Sequence, residues 1–505
     1  MSDREIVDAW VPVSPQIPEH WSYVEFEEAF NAISTSNIKT PEAQYLTSGA
    51  FPIVDQGKSF VGGFTNSKDR VINEKGSVIV FGDHTRCFKL INFPFAPGAD
   101  GTKVLEPCPY VLPRFAYYAL LSLRLPDRGY SRHYSFLRKS RFPVAPLAEQ
   151  RRIVAKIEEL FSKLDKGGET LTAAREQLKA YRQSVLKHAF EGKLTEDWRA
   201  KNADKLEAPE TLLARIKQER EARYKQAHED WQSALATWRA NGEKGKKPGN
   251  PKRPRDITAK AKEVGVFGWA SMQLGLLIDE PSYGTSKKCD YEGGDIGVLR
   301  IPNIAKGTVD ADDLKFANFD AAEIAQYRLE TGDVLTIRSN GSLSLVGKPA
   351  LVRSTDTRFV YAGYLIRLRP IPNSLVSKYL VYLMMEPNVR DQIERKAKST
   401  SGVNNINAKE LQDLQLPICS LAEQAEIVRL LEEKLEAADV MEAEIEAALA
   451  RADSLRQSIL KRAFSGKLVS QDPKDEPAAA LLARIKAERV AEPIKTSRRN
   501  REGAE

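Results

Sequence analysis

Two stretches of the chain decide its architecture: RQSVLKHAFEGKL at residues 182–194 and RQSILKRAFSGKL at residues 456–468. The same offset of 274 residues aligns LAEQ at 147–150 with LAEQ at 421–424. Across the whole aligned block, 21 of 48 positions are identical in the two copies. Self-similarity of this extent at one fixed offset indicates that the chain contains a duplicated unit.

Apolar residues in both copies recur with the alternating spacing of three and four that is typical of a coiled-coil seam. The predicted seam consists of Leu171, Leu178, Tyr181 and Val185 in the first copy and of Ile445, Leu455 and Ile459 in the second. A continuous helix over 147–190 is about 65 Å long at roughly 1.5 Å per residue. Two unrelated surface helices are the alternative, but the matching registers favour two helices that pair.

Each helical repeat is preceded by a globular segment, at residues 20–146 (domain 1) and 268–418 (domain 2), with short apolar runs typical of strands. These runs include FPIV (51–54), SVIVF (77–81), GVLRI (297–301), DVLTI (333–337) and ALVR (350–353). The predicted fold class is therefore α+β. Two globular α/β domains are separated by two long helices that pair as an antiparallel coiled coil, with internal pseudo-twofold symmetry.

The remaining segments complete the predicted organisation. In chain order it comprises an N-terminal segment (1–19), domain 1 (20–146), a central helical region (147–238), a basic linker (239–267), domain 2 (268–418), a distal helical region (419–490) and a basic tail (491–505). Residues 239–263 contain nine Lys or Arg and three Asp or Glu, which indicates a flexible basic tether. A nucleic-acid-binding arm is the alternative.

The composition excludes several classes of protein. The chain has 505 residues, 76 Lys or Arg and 69 Asp or Glu, so its net charge is +7, which permits a nucleic-acid partner without requiring one. Four scattered cysteines do not form a disulfide framework. No apolar run reaches the roughly 18 residues of a membrane helix, and the N-terminus lacks a signal-peptide core, so we expect a cytoplasmic protein.

Motifs for catalysis are missing as well. Gly57-Lys58-Ser59 imitates the end of a Walker A loop, but Pro52 stands where the leading Gly is required. The sequence has no GxGxxG after a strand, no HExxH and no Cys/His metal spacing. The acidic pairs Asp312–Asp313 and Asp475–Glu476 are a weak alternative as nuclease fragments. We therefore expect a protein that is not an enzyme and holds neither a metal nor a cofactor.

Polar loops that follow the predicted strands are the candidate functional sites. FGDHTR (81–86) and IRSNGS (337–342) occupy matching places in the two domains. Arg can bind guanine and Asn can bind adenine through paired hydrogen bonds, although ordinary turns are the alternative reading. The predicted DNA-binding residues are Lys58, Ser59, Asp83, His84, Thr85, Arg86, Arg132, His133 and Tyr134 in domain 1, and Arg300, Asn303, Arg338, Ser339, Asn340, Ser342, Ser401, Asn404 and Asn405 in domain 2.

The doubled LAEQ…AFxGKL blocks, together with FGDHTR and the segments 298–316 and 332–351, resemble the specificity subunit of a type I restriction-modification system. The resemblance covers almost the entire chain, but the long insertion after Leu213 departs from the family pattern. It implies that domains 1 and 2 are target recognition domains and that the helical repeats are the regions shared within the family. It also implies double-stranded DNA, two methyltransferase subunits and restriction/translocase subunits as partners, with S-adenosylmethionine bound by the methyltransferase subunits and no membrane contact.

A subunit of this kind reads DNA in two places. Because domains 1 and 2 differ in sequence, we expect an asymmetric bipartite target whose unspecified spacer is set by the helices. Two rival hypotheses belong to other classes: a coiled-coil scaffold whose globular domains bind protein partners, and a fused enzyme with a cryptic active site.

Overall fold

The computed structural model describes residues 15–72, 76–129, 131–245, 247–251, 253, 262–263, 265–266, 268–305, 307–398 and 402–491. The chain divides into two compact units. The first unit consists of residues 1–173 and 445–505, and the second of residues 174–444. Each unit thus contains one globular domain and part of each long helical repeat. The linear domain boundaries expected from the sequence stay predictions.

The helices are α1 (Phe26–Ala29), α2 (Pro113–Ser122), α3 (Tyr134–Arg138), α4 (Leu147–Phe190), α5 (Glu196–Lys201), α6 (Pro209–Ala240), α7 (Ile301–Ile304), α8 (Ala321–Gln326), α9 (Ser377–Met385), α10 (Pro387–Ala397), α11 (Ala408–Gln412), α12 (Leu421–Ala463) and α13 (Ala478–Ala491). The predicted long helices are confirmed as α4 and α12. Gly167 and Gly168 lie inside α4 without interrupting it, at a cost of about 1 kcal/mol each relative to Ala.

The strands are β1 (Ser22–Glu25), β2 (Phe30–Ile33), β3 (Phe51–Val54), β4 (Gly63–Thr65), β5 (Val78–Gly82), β6 (Phe88–Ile91), β7 (Ala96–Pro97), β8 (Thr102–Pro107), β9 (Arg141–Val144), β10 (Lys262–Glu263), β11 (Ala270–Gln273), β12 (Ser282–Tyr283), β13 (Ile296–Leu299), β14 (Lys315–Ala317), β15 (Val334–Ile337), β16 (Ser339–Asn340), β17 (Pro349–Leu351), β18 (Val360–Tyr361), β19 (Leu365–Leu368), β20 (Asn404–Asn405) and β21 (Gln415–Ile418).

The two domains are built on one topology. Domain 1 has a four-stranded sheet in the order β2-β8-β5-β6, and domain 2 has one in the order β12-β19-β15-β17. A second sheet, β4-β3-β7 or β14-β13-β18, combines one antiparallel and one parallel pair in each domain. The first and last strands of each domain also pair, as β1 with β9 and as β11 with β21. The loop after β5 and the loop after β15 are therefore equivalent, as the sequence predicts.

The long helices pair within each unit, and one ion pair is formed twice. In the first unit the Arg456 guanidinium binds the Asp165 carboxylate and lies 5.2 Å from the ring centre of Phe161. In the second unit Arg182 binds Asp439 at 2.6 Å. Asp165 and Asp439 are related by the 274-residue offset, and so are Arg182 and Arg456. The predicted pairing of the two long helices is therefore seen in each unit.

The predicted seam is wrong at two equivalent positions. Tyr181 is 41% exposed and Leu455 is 51% exposed, so neither side chain packs between helices. The neighbouring Arg182 and Arg456 face the partner helix instead, because their guanidinium groups reach the carboxylates there. The other seam positions are buried or half-buried: Leu171, Leu178, Val185, Ile445 and Ile459.

The LAEQ motif joins each long helix to its domain. The side-chain oxygen of Gln150 accepts a hydrogen bond from the amide of Leu112 at 2.9 Å, and its nitrogen donates to the Ala145 carbonyl at 2.9 Å. In the second unit Gln424 binds the Val376 amide and the Cys419 carbonyl in the same way, both at 2.9 Å. Gln therefore connects the helix to the N-cap residue of α2 or α9 and to the end of the last strand.

The Glu of the same motif holds a buried tryptophan. Trp21 donates its indole hydrogen to Glu149 at 3.0 Å, and Trp269 donates to Glu423 at 3.0 Å. All four side chains are buried. Glu423 also accepts hydrogen bonds from Thr195 and binds the Arg199 guanidinium at 2.5 Å. The burial of Glu423 is compensated because both of its carboxylate oxygens have donors, whereas Oε1 of Glu149 is buried without a hydrogen-bond partner among the described residues.

AFxGKL forms the end of each long helix and the turn after it. Gly192 and Gly466 have positive φ angles of 75° and 68°, which disfavour a side chain and favour glycine after a helix. Phe190 packs edge-on against Tyr379, with ring centres 5.2 Å apart, and Phe464 packs against Phe115 at the same distance.

The LLARIK segments close the cores. Leu212 and Ile216 of α6 are buried with Trp269 in the second unit. Leu481 of α13 is buried with Trp21 in the first. Helices α6 and α13 therefore complete the core of the domain in their own units.

The predicted flexible linker (239–267) is only partly described. Of the described residues that follow α6, Gly245 and Pro248 lie against this helix, because their carbonyls accept hydrogen bonds from its tryptophan side chains. Lys262–Glu263 pairs with β11. The first 14 residues and residues 492–505, which include almost all of the predicted basic tail, lie outside the described residues.

Candidate nucleic-acid interface

Domain 2 has an open groove of about 720 Å³ beside the end of β15. It is lined by residues 283–289, 300–302, 338 and 362–364. Two tyrosines and several cations face this groove, whereas carboxylates are absent from its lining. A groove that combines aromatic rings with positive charge is suited to nucleic acid.

Arg338 is fixed by the backbone on both sides. Its amide donates to the Tyr364 carbonyl at 2.8 Å, and its carbonyl accepts from the Ile406 amide at 2.9 Å. The guanidinium lies 4.9 Å from the ring centre of Tyr283. Among the described residues no carboxylate forms an ion pair with Arg338, and its buried Nε has no hydrogen-bond partner. The side chain is thus a stacked cation whose donors can bind a base edge or a phosphate.

Tyr283 is held in place by its hydroxyl, which accepts a hydrogen bond from the Ala408 amide at 2.9 Å. The next residue, Gly284, has no room for a side chain, because a Cβ there would lie 2.3 Å from the carbonyl oxygens of Tyr361 and Ala362. This close approach presses the 283–288 loop against the turn that carries Tyr364, which is 64% exposed.

A short strand pair brings four predicted residues together. Ser339 lies opposite Asn405, and Asn340 lies opposite Asn404, in the pairing of β16 with β20. The Asn340 side chain accepts from the Ser342 amide at 2.8 Å, which closes a turn. These residues share one edge of domain 2 with Arg338, so the structure groups them as the sequence predicts. Their contact with DNA stays a prediction.

Two predicted residues of domain 2 have internal partners. Asn303 is buried: its oxygen accepts from the Arg300 amide at 2.8 Å, and its nitrogen donates to the carbonyls of Asp310 and Asp313. Its predicted role as a DNA contact is wrong, because both polar atoms of its side-chain amide bind backbone groups of the segment that connects β13 and β14. Arg300 lines the groove but also binds the Asp313 carboxylate at 3.1 Å. Ser401 lies outside the described residues.

In domain 1 the structure brings three predicted loops together. Thr85 donates its hydroxyl hydrogen to the Gln56 carbonyl at 2.5 Å, which joins the loop after β5 to the loop after β3. Asp83 accepts from the amides of His133 and Tyr134 at 2.8 and 2.7 Å, which joins the loop after β5 to α3. The three loops therefore form one surface.

These joining contacts correct two predictions and involve two further predicted residues. Asp83 and His133 are buried, with exposed fractions of 3% and 0%, so neither faces solvent as a base-reading residue must. The Thr85 hydroxyl is used within the domain. The Tyr134 ring packs against the ring of Phe81, with centres 6.3 Å apart. All four residues stabilise the loops. The predicted direct contact of Asp83 and His133 with DNA is wrong because both are buried, whereas the half-buried Thr85 and Tyr134 stay predicted contacts.

The other predicted residues of domain 1 remain accessible. Lys58, Ser59 and Arg132 are exposed, and His84 is half-exposed. Arg86 has a φ angle of 61° and binds the Asp127 carboxylate at 2.8 Å. These five residues stay predicted DNA contacts.

A buried lysine supports the loop that carries Lys58. Lys89 donates to the carbonyls of Asp55 and Ser59 at 2.9 and 2.5 Å. Burial lowers the pKa of Lys89 below its usual value, and the Asp55 carboxylate, 3.6 Å away, opposes this shift. The Lys89 ammonium group therefore holds the 55–59 loop in place from its buried side.

Sequence reasoning missed the aromatic members of both surfaces. In domain 2 these are Tyr283 and Tyr364, accompanied by the exposed Lys288, which forms no ion pair within the described part of the chain. In domain 1 it is Phe60, which is 52% exposed next to Lys58. Two sequence segments could have indicated these aromatic residues: YGTSKK at 283–288 and GKSF at 57–60. In both, an aromatic residue and lysine lie close together among small residues.

Among the described residues, no group of three or more His, Cys, Asp and Glu side chains is arranged to hold a metal ion. No helix in this part of the chain combines the length and the hydropathy that crossing a membrane requires.

The chain thus carries two unlike loop surfaces on one repeated framework. Residues 269–451 match the family model "Type I restriction modification DNA specificity domain". The resemblance of the chain to type I specificity subunits is thereby confirmed.

Similarity to individual proteins extends over most of the chain. It is 29% identical over 358 residues to the type I restriction enzyme EcoKI specificity subunit of Escherichia coli, a match that covers 69% of this chain and 64% of that protein. It is 29% identical over 366 residues to the StySPI specificity subunit of Salmonella potsdam, a match that covers 71% and 66%. The chain thus spans just under two thirds of the length of these relatives.

Solved structures support the fold. A chain from a study of complex assembly and conformational transition of the type I R-M system superposes with a TM-score of 0.57 at 18% identity. The superposition covers 90% of this chain and 99% of the other.

Proposed function

We propose that this chain is the DNA sequence-specificity subunit of a type I restriction-modification complex. Domains 1 and 2 each read one part of an asymmetric bipartite target, and the chain positions methyltransferase and restriction subunits on that DNA. The chain itself performs no catalysis. S-adenosylmethionine is bound by the methyltransferase subunits, which methylate adenine.

One observation carries this proposal: two domains share a single strand topology, yet their equivalent loops differ in chemistry. After β15, Arg338 is stacked on Tyr283 beside two asparagine-bearing strands. After β5, the equivalent loop presents His84 and Arg86. A common framework with different donors and acceptors is what reading two different short sequences requires.

The repeated helices also support a pair of like partners. Tyr181 and Leu455 are exposed apolar residues at equivalent positions, one on each long helix. We assign them to the docking of the two methyltransferase subunits, one at each copy. Tyr181 and Leu455 are not buried between the helices, yet an apolar residue occupies this position in both copies. Binding of one partner subunit at each copy explains this repetition.

The modular arrangement predicts the outcome of a domain exchange. If residues 20–146 are replaced by the equivalent segment of a relative with a known target, only one part of the methylated motif will change, because domain 2 keeps its loops. The measurement is sequencing of N6-methyladenine in host DNA, with the unexchanged protein as the control. A simultaneous change in both parts would contradict the proposal.

The docking assignment predicts separable losses. Tyr181→Asp and Leu455→Asp will each reduce the number of bound methyltransferase subunits from two to one, because each places a charge in one apolar contact. The double variant will bind none. Native mass spectrometry of the purified complex gives the stoichiometry. The control is Glu444→Asp on α12, the helix that carries Leu455. Retention of both methyltransferase subunits in the double variant would refute the assignment.

A further inference from the structure

The second unit contains an arm that the recognition surfaces do not use. Helix α6 continues beyond LLARIK (212–217) to Ala240. Arg220 donates to the Gly275 carbonyl at 2.6 Å, and Arg223 binds the Asp279 carboxylate at 2.7 Å. These contacts fix the middle of α6 on domain 2.

The remainder of α6 carries an aromatic stripe. Its members recur at intervals of four and three residues and therefore lie on one helix face: Tyr224, His228, Trp231, Leu235 and Trp238. The imidazole of His228 lies 6.0 Å from the Tyr224 ring and 5.3 Å from the Trp231 ring, measured between ring centres. Leu235 is only 8% exposed and the four rings are half-buried, so the stripe is partly covered.

The chain immediately after α6 provides this cover. Trp238 donates its indole hydrogen to the Gly245 carbonyl at 3.2 Å, and Trp231 donates to the Pro248 carbonyl at 3.1 Å. Residues 241–245 and 247–251, which we term the basic strap, therefore run back along the helix in the opposite direction.

Backbone anchoring leaves the side chains of the strap free. Lys244 and Lys247 are exposed, and neither forms an ion pair with any residue that the structure describes. The sequence from 241 to 255 contains six Lys or Arg and one Glu, a net charge of +5 in a chain whose total is +7. Most of the net positive charge is thus concentrated in the strap and the few residues after it.

We propose that the basic strap binds the phosphate backbone of duplex DNA, independently of base sequence. Lysine ammonium groups without carboxylate partners attract phosphates, and a strap held through its carbonyls offers charge without base-reading geometry. The strap belongs to the same unit as the groove of domain 2. The inference rests on the proposed function, because it assigns the strap to the DNA that this groove reads.

The test measures binding of the full-length chain to a random-sequence 40-base-pair duplex by fluorescence anisotropy at KCl concentrations from about 50 to 200 mM. The double variant K244Q/K247Q should lessen the slope of log K against log salt by about two, since each phosphate contact contributes about 0.9. K244R/K247R, which retains both charges, should restore the slope. K179Q/K193Q, which removes two exposed lysines of the same unit, is the matched control and should behave as wild type.

An unchanged slope in K244Q/K247Q would overturn the inference. If this variant had also lost binding to polyglutamate, the strap would be assigned to an acidic protein instead of DNA. Discrimination between the methylated motif and random duplex should be the same in K244Q/K247Q as in wild type. If wild type binds all duplexes equally, the proposed function fails, whereas the salt slope still reports on the strap.

Discussion

Replacing Glu423 with Ala will lower the free energy of unfolding of the second unit by about 3–5 kcal/mol, because it leaves a buried cation without its counter-charge. Only 1% of the Glu423 side chain and 13% of the Arg199 side chain are exposed. The same carboxylate accepts hydrogen bonds from Trp269 and Thr195, which would also lose their partner. Denaturant unfolding followed by tryptophan fluorescence measures the change.

A neighbouring glutamate on the same helix provides the control. Glu432 binds Lys378 in an ion pair whose side chains are 41% and 50% exposed, so Glu432→Ala will cost at most about 1 kcal/mol. The double variant E423A/R199A should be less destabilised than the two single changes added together, because no unpaired charge is then buried. Equal stability of E423A and E432A would contradict this account of the LAEQ glutamate.

Arg338→Ala will weaken discrimination at one part of the bipartite target by about 1–3 kcal/mol for each base contact that is lost. The guanidinium is stacked on Tyr283 and has no carboxylate partner among the described residues, so its donors are available to a base edge. Binding competition against duplexes that vary at single positions measures the loss. Arg338→Lys should retain overall affinity but not discrimination, because the planar fork is absent.

Domain 1 supplies the matched comparison. Arg86 occupies the equivalent loop after β5, so Arg86→Ala should relax the other part of the target and leave the part read by domain 2 unchanged. If both variants relaxed the same bases, the two surfaces would not read separate sequences. If neither changed discrimination at any position, these loops would not be the reading elements.

Periodicity and repetition made the framework predictable. Both long helices, the duplicated layout and the equivalence of the loops after β5 and β15 follow from patterns that are local or that recur at one offset. The helix-facing role of Arg182 and Arg456 was not predictable from apolar spacing, because a charged residue occupies the face where Tyr181 and Leu455 were expected. The carboxylates that bind these two arginines lie more than 250 residues away in sequence.

The candidate sites were predictable as loops but not as individual contacts. Asp83 and His133 carry groups that suit DNA, yet a contact between segments 50 residues apart buries both. Conversely, Tyr283 belongs to the surface because Gly284 allows a close approach to the turn before β19. Such assignments depend on which segments meet in three dimensions, and sequence patterns do not specify that.

The core of the first unit joins the two ends of the chain, since the Ala478 amide donates to the His20 carbonyl at 2.9 Å and Phe464 packs against Phe115. On the ribosome, domain 1 therefore emerges long before the residues that complete its core. At about 5–20 residues per second, the interval between Trp21 and Ala478 is roughly 20 to 90 s. Until Ala478 has been synthesised, the core of domain 1 stays incompletely packed. A chain truncated before this residue would never complete that core.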